Sequence, residues 1–227
     1  MLAARKDESA SDSQWRPSLE SLCRSYWRPL YFYLRKKGFS EQDSQDLTQD
    51  FFASLIEKDF LKVVDPERGR FRWFLMDAIA KYSTNWLAVK STQKRGGDHK
   101  KLSLDFEYGE SQFKLEPVSE LTPEKLFDRE WALLLLQRAL DEIEKGYAES
   151  AKERYFEVLK IYIVPASEQP SYRESAEQLG LSETAIKVAI HRLRQKYQNV
   201  IRRLVADTLD NPEELENEFE ELMRALG

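Results

Sequence analysis

The stretch RGRFRWFLMDAIAKYSTNW, residues 68–86, sets three arginines, Arg68, Arg70 and Arg72, among the aromatic residues Phe71, Trp73 and Phe74. Aromatic faces beside guanidinium groups form a stacking platform for unpaired bases, each worth roughly 1–3 kcal/mol, while the cations hold phosphates. The same residues at helical spacing also suit a buried helix face, and spacing alone leaves both readings open. A second cationic stretch lies far along the chain. In YRESAEQLGLSETAIKVAIHRLRQKY, residues 172–197, Lys187, His191 and Arg194 share one helix face, flanked by Thr184, Val188 and Arg192. Such a face fits the major groove of duplex DNA, although a merely solvated cationic face has the same composition. Chemistry of other kinds has little to work with. Cys23 is the single cysteine and His99 and His191 the only histidines, so no disulfide framework or usual zinc site can be assembled. No nucleophile with a base or glycine-rich phosphate loop emerges, which argues against an enzyme and calls for no cofactor. The carboxylates of EFEELM read as a solvated helix face.

The elements that position these residues follow from the rest of the chain. Its 227 residues carry a formal charge of -5, with 41% hydrophobic residues and few glycines or prolines. That composition predicts an all-α protein of one or two domains with ordinary cores. The first residues lack an apolar leader and no apolar run is long enough to span a bilayer, so a soluble, cytoplasmic protein is expected.

A first helix is expected from about Leu19 to Lys37, closed by Gly38. Ser40 then begins a second, with the stripe Leu47, Phe51 and Leu55, Phe52 and Ile56 beside it, and Asp43, Asp46, Asp50 and Glu57 on the other face. The helix of the opening stretch runs from about Phe71 to Val89. Leu75, Ala78, Ile79, Tyr82 and Trp86 form its core face, and Trp73, Asp77, Lys81, Thr84 and Asn85 lie opposite. Residues 91–123 hold a glycine pair and no sustained periodicity, and read as a linker. Thr122 and Pro123 open the next helix, and another is expected over about Ser150 to Val164.

Residues 172–197 have the anatomy of a helix-turn-helix. Ala176 is small at a helix crossing, Gly180 supplies the turn, and Ser182 caps the second helix. Leu179, Leu181, Ile186 and Ile190 supply a shared core, and Leu193 and Tyr197 extend the buried stripe. At the end, Asn211 and Pro212 open an amphipathic helix with the stripe Leu215, Phe219, Leu222 and Leu226. Its acidic face is either solvated or docked near the cationic reader helix, where it would compete with DNA.

On these motifs nearly the whole chain resembles the bacterial RNA polymerase sigma factors of the two-domain extracytoplasmic-function group. YWRPLYFYLRKKG and DSQDLTQDFFASLI look like the start of the second sigma region and its polymerase-binding helix. DPERGRFRWFLMDAIAKYSTNW is similar to the family's -10 melting element, and ESAEQLGLSETAIKVAIHRLRQKY to its -35 reader. The resemblance implies a second-region domain over 14–92, a linker over 93–121, a fourth-region helix-turn-helix over 122–208 and an acidic C-terminal helix over 209–227. It implies that Asp43, Asp46 and Asp50 face the clamp helices of core RNA polymerase, with the flap as a further contact. Arg68, Arg70, Phe71, Arg72, Trp73, Phe74, Lys81 and Asn85 would handle the melted -10 strand. Ser182, Thr184, Lys187, Val188, His191 and Arg192 would meet the -35 duplex.

Two departures stand out. Where the family commonly has Asp-Ala-Glu-Asp, this chain has DSQD, with Gln45 replacing a carboxylate, and Phe74 stands where relatives often carry Trp. The lost charge makes Thr48 and Ser44 candidates for phosphorylation by a Ser/Thr kinase, since phosphate adds about -1.5 to -2 charges opposite a basic partner. An anti-sigma factor is an alternative regulator, and a stand-alone helix-turn-helix repressor or activator is the rival to the whole reading.

Overall fold

The structure is a computed structural model that describes residues 25–57, 71–90, 103–115, 121–164, 169–209 and 211–227. All regular elements among them are helical: α1 (residues 25–36), α2 (Glu41–Glu57), α3 (Phe71–Lys90), α4 (Phe106–Leu115), α5 (Pro123–Ala148), α6 (Glu153–Lys160), α7 (Tyr172–Leu179), α8 (Glu183–Ala206) and α9 (Leu215–Leu226). The all-α expectation holds. The chain divides into two compact units, Met1–Leu133 with Asp207–Gly227, and Leu134–Ala206. The division falls inside α5 rather than before it, and the C-terminal helix belongs to the first unit.

In the first unit α1 ends where Gly38 adopts φ +94°. Only glycine takes that conformation without strain, and it lets the Phe39 N–H reach back to the Leu34 carbonyl at 3.2 Å. Ser40 then caps α2, its Oγ accepting the Asp43 N–H at 3.1 Å. The expected stripe of α2 is the core: Leu47, Phe51, Phe52 and Leu55 are all buried. Ring packing between Phe51 and Tyr82, with centroids 5.6 Å apart, ties α2 to α3.

The stretch expected to be a plain linker contains a helix. Phe106 packs edge-on against Trp27 at 5.2 Å, and Phe113 does the same to Phe32 at 5.4 Å. Between them Glu110, fully inside, receives the Tyr31 hydroxyl at 2.6 Å and two nitrogens of Arg35 at 2.9 and 3.0 Å. The periodicity of this segment is too short to register, because ten residues hold only two anchoring rings and a buried charge. Gly109 allows the approach: a Cβ there would sit 2.7 Å from the Trp27 ring. Burial works to raise the Glu110 carboxyl, but the hydrogen bonds from Arg35 and Tyr31, with the Arg35 and Lys114 charges, outweigh it and hold the group below the ordinary carboxylate range. The same burial and the Glu110 carboxylate push the Tyr31 phenol well above its usual value.

Thr122 caps α5 as expected, accepting the Lys125 N–H at 3.3 Å, with Pro123 in the first turn. The early turns of α5 bury Leu126, Phe127 and Trp131, and place the buried Glu130 carboxylate 2.7 Å from Arg28.

The second unit holds the rest of α5 with α6, α7 and α8. The helix expected over 150–164 is shorter, because Ala151 takes a positive φ of 52° and the chain re-enters helix only at Glu153. Beyond Lys160 a turn brings Tyr162 inside. Its hydroxyl bonds to the Ser175 hydroxyl at 2.7 Å and donates towards the Pro170 carbonyl at 3.0 Å, while its own carbonyl accepts Arg194 at 3.1 Å. Tyr162 thereby pins α6, α7 and α8 together. Tyr197 is held by a bond from its hydroxyl to the Leu136 carbonyl at 3.1 Å, and burial pushes its phenol up to about 12.

Three outcomes check this packing. Gly109→Val should cost about 1–3 kcal/mol by overpacking against Trp27, read from the urea midpoint. The depressed Glu110 carboxyl contributes stability that is present above its unfolded pKa and lost as pH falls through its lower folded value. Glu110→Gln should therefore flatten the acid limb of a stability profile as well as lower its plateau at neutral pH. Arg194→Ala should lose roughly 0.5–1.5 kcal/mol with the Tyr162 carbonyl contact, whereas Arg192→Ala should leave the midpoint nearly unchanged.

Candidate nucleic-acid interface

The helix-turn-helix is built from its turn outward. Ser171 and Glu174 form a capping box at the start of α7, and Gly180 closes it with φ +65°. The Leu181 N–H then reaches the Ala176 carbonyl at 2.9 Å, which fixes the angle at which α8 departs. Ser182 accepts the Ala185 N–H at 3.2 Å and caps α8. Ala176, Ile186, Ile190 and Leu193 are buried as expected. Leu181 is not: expected in the shared core, it is 41% exposed, because the backbone turn that its N–H closes leaves the side chain on the outside.

One face of α8 is thereby committed to the core, and the opposite face is open. Thr184, Lys187, Val188, His191 and Arg192 are all exposed, and Ser182 lies at the positive end of the helix dipole. Lys187 sits over the Tyr172 ring at 5.6 Å, so its stem is steadied from α7. Arg194, counted with this face from the sequence, instead turns its guanidinium to the Tyr162 carbonyl. The arrangement presents a rigid, cationic ridge of a kind that fits a major groove.

In the first unit, α3 divides as its spacing predicts. Leu75, Ile79 and Trp86 are buried, while Asp77, Lys81, Thr84 and Asn85 are exposed. Trp73 is 45% exposed and Phe74 half-buried. Lys81 pairs with Asp77 at 2.6 Å along the same face. Arg68 and Arg70, and the side chain of Phe71, lie outside the described residues.

Arg72 occupies a different environment from its neighbours. It is 3% exposed, stacked 4.5 Å over the Trp131 ring, and ringed by carboxylates. Nη1 lies 2.7 Å from Glu218, Nη2 2.6 Å from Glu221, and Nε 3.5 Å from Asp128. Glu218 and Glu221 of α9 are therefore bound to the arginine of α3 rather than solvated, as EFEELM alone suggested, while Glu213, Glu216 and Glu220 stay exposed. The spacing of Glu218 and Glu221, one turn apart beside the buried Leu222, is the sequence signal for that contact, and Arg72 is the half that spacing does not reveal.

On α2, Asp46 is exposed and accepts Gln42 at 3.0 Å, whereas Asp43 and Asp50 are half-buried and Asp50 accepts the Trp86 indole at 3.3 Å. Thr48 and Ser44 are fully buried, with the Thr48 hydroxyl donating to the Ser44 carbonyl at 2.7 Å. A kinase cannot reach either hydroxyl in this conformation. Among the described residues no group of His, Cys, Asp and Glu is placed to hold a metal ion, and no helix is long and apolar enough to cross a membrane.

Comparison with curated proteins and with solved structures gives no match. A family model described as ECF sigma factor matches residues 4–203, which takes in both the α3 surface and the helix-turn-helix and stops short of α9. The chain therefore belongs to the ECF sigma factor family, and its part in the cell is transcription initiation, with RNA polymerase and promoter DNA as partners.

Proposed function

We propose that this sigma factor divides promoter recognition between its two units: α8 reads the -35 duplex and α3 handles the melted -10 strand. The observation that carries the proposal is the pair of open faces, each backed by a buried one. Trp73, Lys81 and Asn85 stand on the exposed side of α3, and Thr184, Lys187, Val188, His191 and Arg192 on that of α8. A flat aromatic with cations beside it suits unstacked bases, whose faces stack without strict sequence preference. A capped helix with lysine, histidine and arginine on one side suits base edges and phosphates of a duplex.

The acidic face of α2 is assigned to the clamp helices of core polymerase, with Asp46 as its most accessible carboxylate. Asp50 contributes there through its position beside Trp86, which couples the polymerase-facing helix to α3. Polymerase supplies the catalysis, and the protein acts where polymerase and promoter meet, in the cytoplasm.

Run-off transcription with core polymerase and a pool of promoter fragments tests this reading. Transcripts that depend on the chain should fall at least roughly fivefold with Trp73→Ala, in line with the loss of one stacked base at about 1–3 kcal/mol. Lys187→Ala should weaken the same transcripts and reduce discrimination for the upstream duplex. Tight duplex binding by the chain alone, without transcripts, would instead mark a stand-alone repressor or activator.

A further inference from the structure

We propose that α9 is an intramolecular acidic plug that occupies Arg72 and must withdraw before that arginine can grip the promoter strand. The inference rests on the assignment of α3 to the melted strand. Arg72 directly precedes the exposed Trp73 on α3, and their side chains are neighbours, the guanidinium 5.7 Å from the Trp73 ring. Yet the guanidinium has almost no access to solvent. Its two terminal nitrogens meet one carboxylate oxygen each, from Glu218 at 2.7 Å and Glu221 at 2.6 Å. Each of these nitrogens thus carries a charge-assisted bond to a separate anionic oxygen, the kind of acceptor that a phosphate also presents, so α9 and a nucleic-acid backbone would compete for the same two nitrogens.

The way α9 is held suits exchange. Leu222 is its single fully buried apolar residue, with Leu215, Phe219 and Leu226 half-buried. Much of the attachment is therefore ionic. Glu218, at 1% exposure, is paired with Arg72, and a buried carboxylate gains strongly by returning to solvent once a phosphate takes its place on the arginine. Because α9 lies beyond the span that matches the family, membership does not account for this contact.

The test uses the full chain with core polymerase and a promoter fragment carrying a preformed bubble. Amide hydrogen exchange over residues 215–226 should be protected in the free chain and lose protection in the promoter-bound complex. Glu218→Gln with Glu221→Gln should raise the affinity of the chain–polymerase complex for the bubble by about five- to tenfold, and adding Arg72→Gln should abolish the gain. Unchanged α9 protection in a complex that does yield transcripts would overturn the plug alone, as would equal affinities of the wild type and the double variant. No promoter-dependent transcript from the wild type would overturn the assignment of α3 to the melted strand, and the plug with it. The exchange experiment needs no substitution, so it decides the matter even where the double variant fails to fold.

Discussion

The first unit is organised around a charge taken out of water. Desolvating a guanidinium costs several kcal/mol even after the protein relaxes, and that cost has to be met by close, well-aligned partners. Arg72 finds them on α9, in Glu218 and Glu221, with Asp128 of α5 at a looser 3.5 Å and the Trp131 face closing the remaining side. The α3 backbone at Arg72 is consequently fixed, and the next residue is delivered to the surface as an exposed indole. Two further buried charges repeat the device against α1, where Glu110 of α4 is met by Arg35 and Tyr31, and Glu130 of α5 by Arg28. Together these pairs set which aromatic residues stay inside and which are offered to a partner.

In the second unit the organising group is neutral. Tyr162 uses its hydroxyl and its carbonyl to connect the start of α7 with the middle of α8, so α8 is braced from behind by hydrogen bonds as well as by Ile186, Ile190 and Leu193. Bracing of this kind matters for recognition. A helix that must present side chains to base edges loses affinity if it has to be ordered on binding, and one already capped and pinned does not. On the proposed reading, the open face of α8 is held in place by residues that lie behind it in the core.

Much of this was legible in the sequence because long helices advertise themselves through periodicity. The stripes of α2, α3 and α8, the glycine at each sharp turn, and the caps Ser40, Thr122 and Ser182 all follow from spacing and local hydrogen-bonding rules. What escaped were features that depend on distant partners. Helix α4 is too short to show a period, and its anchor, Glu110, looks like one more solvated acid until Arg35 and Tyr31 are placed against it. Arg72 likewise belongs to a run of arginines and carries no local mark of burial. Leu181 failed in the opposite direction, since an apolar residue after a turn glycine has no neighbouring period to fix its face. Thr48 and Ser44 show the same limit: the helix period places them, but only packing shows that their hydroxyls are enclosed.

The central claim is that one chain lets polymerase unpair promoter DNA while a separate surface holds the upstream duplex. Permanganate footprinting of promoter complexes reads this most directly, because only unpaired thymines react. Reactive thymines confined to the downstream element, present with chain and core polymerase together and with neither alone, are the predicted result. A duplex protected by the chain but with no reactive thymine when polymerase is added would contradict the account.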